Sequence, residues 1–280
     1  EIILVDNGMS GSETARIASS FQVHYVQESF TNVSSALNCG AAVASHNILA
    51  FTTELGRVDR YWLRSLCRPF VDPKVKAVSG YVAPDELETV TQIQIHYGGY
   101  WMYGGMRRIS NKDALSAHES MLIAYTFASG VNMAFRKDMF VSAGPFNDIH
   151  ENNLYLNSYG MEMFNWVTTC GHIIAYEPTA LVWYSPVRDV LSGRRLAYET
   201  GICMMRYLRT SWRSRVQSRL SILRYAVISW LARRIIQRII RPGNAPRALI
   251  LSELAGGILG AFTNRRAKVE SANAGVTILS

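Results

Sequence analysis

The chain has 280 residues, 49% hydrophobic and 18% charged, with 20 glycines and 8 prolines. That length allows one large domain or two small ones, and the balance excludes a disordered tail, a collagen-like repeat and a small disulfide scaffold. The net charge of +8 is local: eleven arginines and no acidic residue lie between Glu199 and Glu253, and the other 18 basic residues face 21 acidic ones.

In chain order, Ile2–Val5 reads as a strand that runs into the turn Asp6-Asn7-Gly8. Ser12–Ser20 reads as a helix with Ser10 or Ser12 as its N-cap, Val23–Val26 as a strand, and the Ala-rich Ser34–Ser45 as a tightly packed helix. Ile48–Thr52 is a third strand, Arg60–Phe70 a helix ended by Asp72-Pro73, and Val75–Val82 a further strand. Such alternation predicts a parallel sheet covered by helices, with ligands bound outside the carboxyl ends of the strands. Those ends are Asp6-Asn7-Gly8 and Thr52-Thr53-Glu54.

Aromatics and four glycines around Gly98–Gly105 predict a helix or loop packed over the sheet. Phe127–Phe135 is strand-like, Lys137–Ser142 and Leu156–Thr169 are helical, and Ile173–Tyr176 and Leu181–Tyr184 are two strands.

From Met204 to Arg241 there is neither Gly nor Pro, and arginines alternate with Leu, Ile, Val and Trp as in amphipathic helices. An apolar face beside a cationic one suits the headgroup plane of an anionic membrane, where each basic residue contributes about 1 kcal/mol. Solvated helix faces on the domain surface are the plainer alternative, and no recognised nucleic-acid motif accompanies the arginines. The expected partner of 204–247 is an anionic membrane surface, not nucleic acid.

Apolar runs stop well short of the roughly 20 residues that cross a bilayer, so no transmembrane helix is expected. No secretory signal is recognised. Cys39, Cys67, Cys170 and Cys203 are scattered with no C-x-x-C pair, as buried apolar thiols in a reducing compartment would be. The expectation is a cytoplasmic, peripheral membrane protein. The strand at residue 1 without an initiator Met reads as a fragment.

Several stretches together resemble glycosyltransferase family 2, nucleotide-sugar enzymes of the GT-A fold. They are Ile2–Asn7, Ala36–Gly40, Ile48–Thr52 followed by Val58–Leu63, Gly130–Arg136, Gly144-Pro145-Phe146 and Gly171–Pro178. The resemblance implies a Rossmann-related α/β fold, a mostly parallel sheet flanked by helices. Residues 1–205 would form the glycosyltransferase-like domain and 206–280 an arginine-rich amphipathic helical region. The family's first strand and helix would precede Glu1.

The family uses Mg2+ or Mn2+ on an Asp-x-Asp at a strand end, because hard cations demand oxygen ligands. A carboxylate of a Glu-Asp pair before a helix then deprotonates the acceptor hydroxyl, which is worth about 10²–10⁴ in rate. This sequence departs at those places. Thr53, Glu54 and Leu55 stand where the family carries acids, and Asn157, Ser158, Tyr159 and Gly160 replace Gly-Gly-Glu-Asp. Gly11 or Ser12 stands for an acid expected after the Asp6 turn, Leu37 for an Arg, and Tyr184 for a His. The apolar framework between these positions is intact.

By resemblance, a nucleotide-diphosphate sugar would bind near Asp6, Asn7, Asn38 and Glu54, with Glu54 as the one candidate metal ligand. Asn132, Asp148 and Glu162 would lie on the acceptor side, Glu162 and Asp148 as catalytic candidates and Glu151 as a further substitute for the base. Each has a plainer role: Asp6 in an Asx turn, Glu54 as a solvated loop acid, Glu162 on a helix face, Asp148 capping a turn, Asn132 satisfying backbone. Two functions remain open: sugar transfer to an acceptor hydroxyl, or a catalytically inactive, membrane-associated binding or scaffolding subunit that partners an active glycosyltransferase.

Overall fold

A computed structural model describes residues 1–7, 11–28, 33–54, 56–96, 108–109, 124, 127, 130–146, 158–214, 218–232, 247–262 and 277–279. Strands β1 (Ile3–Asp6) and β2 (His24–Gln27) pair in parallel, joined through helix α1 (Gly11–Ala18). Strand β9 (Thr277–Leu279) lies antiparallel on the far side of β2. Helix α2 (Val33–Val43) packs on β1, and a Cβ on Gly40 would stand 3.3 Å from Val5 Cγ2.

A second sheet runs in the order β3 (Ile48–Phe51), β7 (Met133–Arg136), β5 (Val75–Pro84), β8 (Ile173–Tyr184), β4 (Gly56–Val58), with β6 (Arg108–Ile109) also on β8. Only β5 and β8 are parallel there; β7 lies antiparallel to both β3 and β5. The α/β class stands, with strand directions more mixed than the local alternation predicts. Alternation informs on consecutive elements, whereas β7 enters between β3 and β5 from far along the chain, where local pattern does not set strand direction.

Two strands predicted at 173–176 and 181–184 are one strand, continuous through Glu177-Pro178. Its register against β5 shifts between Gly80 and Tyr81, which pair with Glu177 and Leu181. The extra residues form a bulge. Strand β7 begins at Met133, and Phe127 is helical. The aromatic and glycine stretch at 97–107 lies outside the described residues.

Helix α3 (Trp62–Cys67) and the 3-10 turn Arg68–Val71 bring Leu66 and Phe70 onto Val78 and Ala175 of the sheet. Helix α4 (Val90–Ile95) starts with a capping box between Thr89 and Gln92. Helices α5 (Asp138–Ala143) and α6 (Ser158–Thr169) flank the main core, where Phe135 meets Phe164 at 5.2 Å and Phe146 at 6.0 Å between ring centroids.

Helix α7 (Val190–Ser214) crosses residues 205 and 206 without a break. Helix α8 (Arg219–Arg224) continues into a π-helical turn, Tyr225–Ala232, and α9 (Arg247–Phe262) lies along α7. Met204, Tyr207, Ile222 and Trp230 belong to the same core as Phe51 and Phe135, so the described C-terminal helices share one core with the sheet. Glycine permits the α7–α9 approach: a Cβ on Gly201 would collide with the Glu253 carbonyl, and one on Gly256 with the Tyr198 carbonyl. Arginine-rich residues 215–217 and 233–246 lie outside the described residues. No described helix is long and apolar enough to cross a membrane, and none of the four cysteines is in a disulfide.

Candidate functional site

The carboxyl ends of β1, β2 and β3 hold the polar groups that the strand-end rule singles out. Asp6 closes β1, and its Oδ2 accepts a hydrogen bond from the Tyr25 hydroxyl of β2 at 2.9 Å. Burial, then the Asp6 carboxylate, pushes the Tyr25 phenol up from its ordinary value. The Glu28 N–H donates to the Asp6 carbonyl at 2.8 Å, extending the parallel ladder by one rung. Asn7, next along, is half-buried.

Glu28 itself was not singled out in the sequence. It lies half-buried at the end of β2, beside the buried Cys39 thiol of α2. Burial, then the Glu28 charge, pushes that thiol up to about 11. Asp6 and Glu28 thus mark two adjacent strand ends. The signal that could have found Glu28 was its place directly after an apolar strand.

Glu54 is exposed on the turn after β3, which the Gly56 N–H closes by donating to the Thr53 carbonyl at 2.9 Å. Beside it, the Thr53 hydroxyl is buried with no hydrogen-bond partner. Leu55 lies outside the described residues.

The two asparagines expected to face ligands are turned inward. Asn38 donates through Nδ2 to the Phe146 carbonyl at 2.8 Å and accepts from the Phe146 N–H through Oδ1 at 2.8 Å. That pair pins the Gly144-Pro145-Phe146 turn, whose Phe146 ring meets Phe51 at 5.5 Å. Gly144 turns the chain there with a φ of +82°, a backbone region natural only to glycine.

Asn132 is fully buried. Its Nδ2 donates to the Tyr81 carbonyl at 2.9 Å and the Ala180 carbonyl at 2.8 Å, and its Oδ1 accepts from Trp62 Nε1 at 2.9 Å. Both amide hydrogens are spent on backbone and the side chain has no open face, so Asn132 fills the backbone-satisfying role rather than lining an acceptor pocket. A Cβ at Gly80 would strike this amide and the Ala180 carbonyl, which explains a glycine opposite the bulge.

Gly160 is buried in the first turn of α6. Glu162, one of the catalytic candidates, has one carboxylate oxygen buried and lies beside Tyr207 of α7. Complete burial, and then the Glu162 charge, holds the Tyr207 phenol far above its ordinary value. Glu162 therefore faces the α6–α7 junction. Leu37 and Tyr184, where the resemblance expects Arg and His, are both buried, and Leu37 packs in the main core. Asp148, Glu151 and Asn157 lie outside the described residues.

Among the described residues no three His, Cys, Asp or Glu side chains converge as a cation site would require. Glu54 has no second carboxylate on its turn, since Thr52 and Thr53 precede it. The described donors do not fit Mg2+ or Mn2+.

Mixed sheets flanked by helices, with Asp6, Glu28 and Glu54 at or just past strand ends, make an α/β fold of the GT-A-like kind. Residues 1–141, half of the chain, match the sequence profile of glycosyl transferase family 2, and the chain belongs to that family. The matched residues are a glycosyltransferase-like domain. No curated protein matches the sequence. One solved structure, described as the crystal structure of a mycobacterial protein, shares 15% identity at a TM-score of 0.46, covering 74% of this chain. The match spans 64% of that protein's length, less than two thirds.

Proposed function

We propose that this protein binds a nucleotide-diphosphate sugar at the carboxyl ends of β1, β2 and β3 and that it is a pseudoenzyme, a binding or scaffolding subunit in which sugar transfer has been lost. The observation that carries this reading is the pairing of a buried Gly160 with Glu162 turned toward Tyr207. A general base must come within hydrogen-bond reach of the acceptor hydroxyl. A glycine has no group to offer, and the nearest described carboxylate on α6 points into a helix junction. On the donor side, Asp6 and Glu28 supply acceptors for a nucleoside, and the unpartnered Thr53 hydroxyl is a donor that a diphosphate oxygen would satisfy. Departing diphosphate needs its charge neutralised in place, and Thr53 and Glu54 do not supply a cation.

The second element of the proposal is attachment to an anionic membrane surface through segment 204–247. Its support is the run of arginines without an acid between Glu199 and Glu253, with Arg213, Arg219 and Arg224 exposed on the described helices.

Calorimetric titration with UDP- and GDP-sugars, with and without Mn2+, tests the first part, alongside a sugar-release assay. The expected outcome is binding that Mn2+ leaves unchanged, with no turnover. Metal-dependent binding with steady sugar release would show an active transferase, and no binding would leave scaffolding alone.

A further inference from the structure

Helix α9 is apolar on two opposite faces. Its inner face, with Leu249, Ile250, Gly256 and Gly260, is buried against α7. Its outer face carries Leu251, Ile258, Leu259 and Phe262, which are 54%, 63%, 48% and 80% exposed. At 100° per residue these four fall within an arc of about 100°, with the exposed Ala255 filling the gap. A water-facing helix would carry polar residues on that arc.

Cations stand at both ends of the stripe. Arg247 is exposed at the amino end. At the carboxyl end, Arg209 of α7 donates to the carbonyls of Gly260 and Ala261, capping α9 beside Phe262. Nearby, α8 and the π-helical turn expose Leu220, Leu223, Val227 and Ile228, together with Arg219 and Arg224 of α8. Trp230 ties this second surface to α9, its ring against Gly257 and its Nε1 donating to Glu253 Oε1 at 2.9 Å.

We infer that the outer face of α9 inserts into the acyl boundary of an anionic bilayer, with the helix lying in the membrane plane. The inference rests on the membrane part of the reading above, and it moves the inserting element out of the arginine-rich segment to 251–262. Charge selects the occupant. With no acid between Glu199 and Glu253, a second copy would set arginine against arginine, whereas anionic headgroups complement Arg247 and Arg209. Length fixes the orientation: 16 residues reach about 24 Å, short of a hydrocarbon core of about 30 Å.

The test is flotation of the full chain with phosphatidylcholine vesicles, with and without phosphatidylserine. Wild type is compared with a Leu251→Ser, Ile258→Ser, Phe262→Ser variant and an Arg213→Gln, Arg219→Gln, Arg224→Gln variant. Circular dichroism and melting confirm the fold of each, since all six side chains are exposed. The serine variant is expected to lose about tenfold or more in partitioning to phosphatidylserine vesicles. The glutamine variant is expected to lose only the salt-sensitive part. Serine-variant flotation equal to wild type, with flotation lost in the glutamine variant, would overturn the inference while the membrane reading stands. Wild type that ignores both vesicles would sink the two together. A lipid-free dimer that the serine variant dissolves in sedimentation would make the stripe a self-association face and overturn the inference.

Discussion

Trp62 Nε1 donates to Asn132 Oδ1 at 2.9 Å, joining α3 to the start of β7 across 70 residues. The same asparagine holds the Tyr81 and Ala180 carbonyls, so one side chain ties α3 to two strands and a bulge. Replacing it by alanine leaves a half-buried indole N–H, the half-buried Tyr81 carbonyl and the buried Ala180 carbonyl without this partner. Asn132→Ala is expected to cost about 3 kcal/mol, read as a lower urea midpoint with an unchanged slope. A loss under about 0.5 kcal/mol, typical of surface sites, would refute the structural role.

Asn38 makes the corresponding tie between α2 and Phe146, with both hydrogen bonds at 2.8 Å. Asn38→Ala frees a turn rather than opening the core. The expected signature is faster hydrogen exchange at the Phe146 amide, with global stability down by about 1–2 kcal/mol. Unchanged exchange there would show that the turn is held by Phe146 packing alone.

The glycines of α9 should rank by what their missing Cβ would meet. At Gly256 the obstacle is the Tyr198 backbone, which cannot yield without separating α7 from α9; at Gly257 it is the Trp230 ring, 2.6 Å away, which can turn. Gly256→Ala is therefore expected to melt lower than Gly257→Ala by several degrees, although each gains helix propensity. The reverse order in a thermal melt would contradict the close crossing.

Cys39 and Tyr207 hold their protons more tightly in the folded protein than in the unfolded chain, chiefly through burial. A raised folded value stabilises fully below the unfolded value and is lost as pH climbs through the folded one. Stability is therefore expected to be level up to about pH 9 and to fall toward pH 11, the window Cys39 defines. Urea midpoints at pH 8 and pH 10.5 measure this, and Cys39→Ala should flatten part of the slope. In the native state Cys170, which is exposed, should react first with a thiol reagent, ahead of Cys39 and Cys203, which are buried.

Much of the frame was legible along the chain. Ile48–Phe51 and Val75–Pro84 sit within a few residues of their expected places, because strand and helix periodicities are local. The strand-end rule located Asp6 and Glu54 in the same way. Glu28 follows a strand end that carries no turn signal, and Asn38 and Asn132, set beside ligands by the resemblance, hold the Phe146 backbone and the Tyr81 and Ala180 carbonyls. An asparagine's type is compatible with gripping a ligand or a backbone; only the distant partner decides, and Phe146 is 108 residues from Asn38.

Residue identity alone determined that Gly160 offers no base and that cationic charge gathers near the carboxyl end, since both are properties of side chains wherever they lie. The three-dimensional arrangement decided the rest. A bulge in β8 carries the Ala180 carbonyl to Asn132, glycines let α7 and α9 touch, and α9 is left with one apolar face uncovered. These are pairings between remote segments, and the free energy of burying or exposing a group depends on what the fold sets against it.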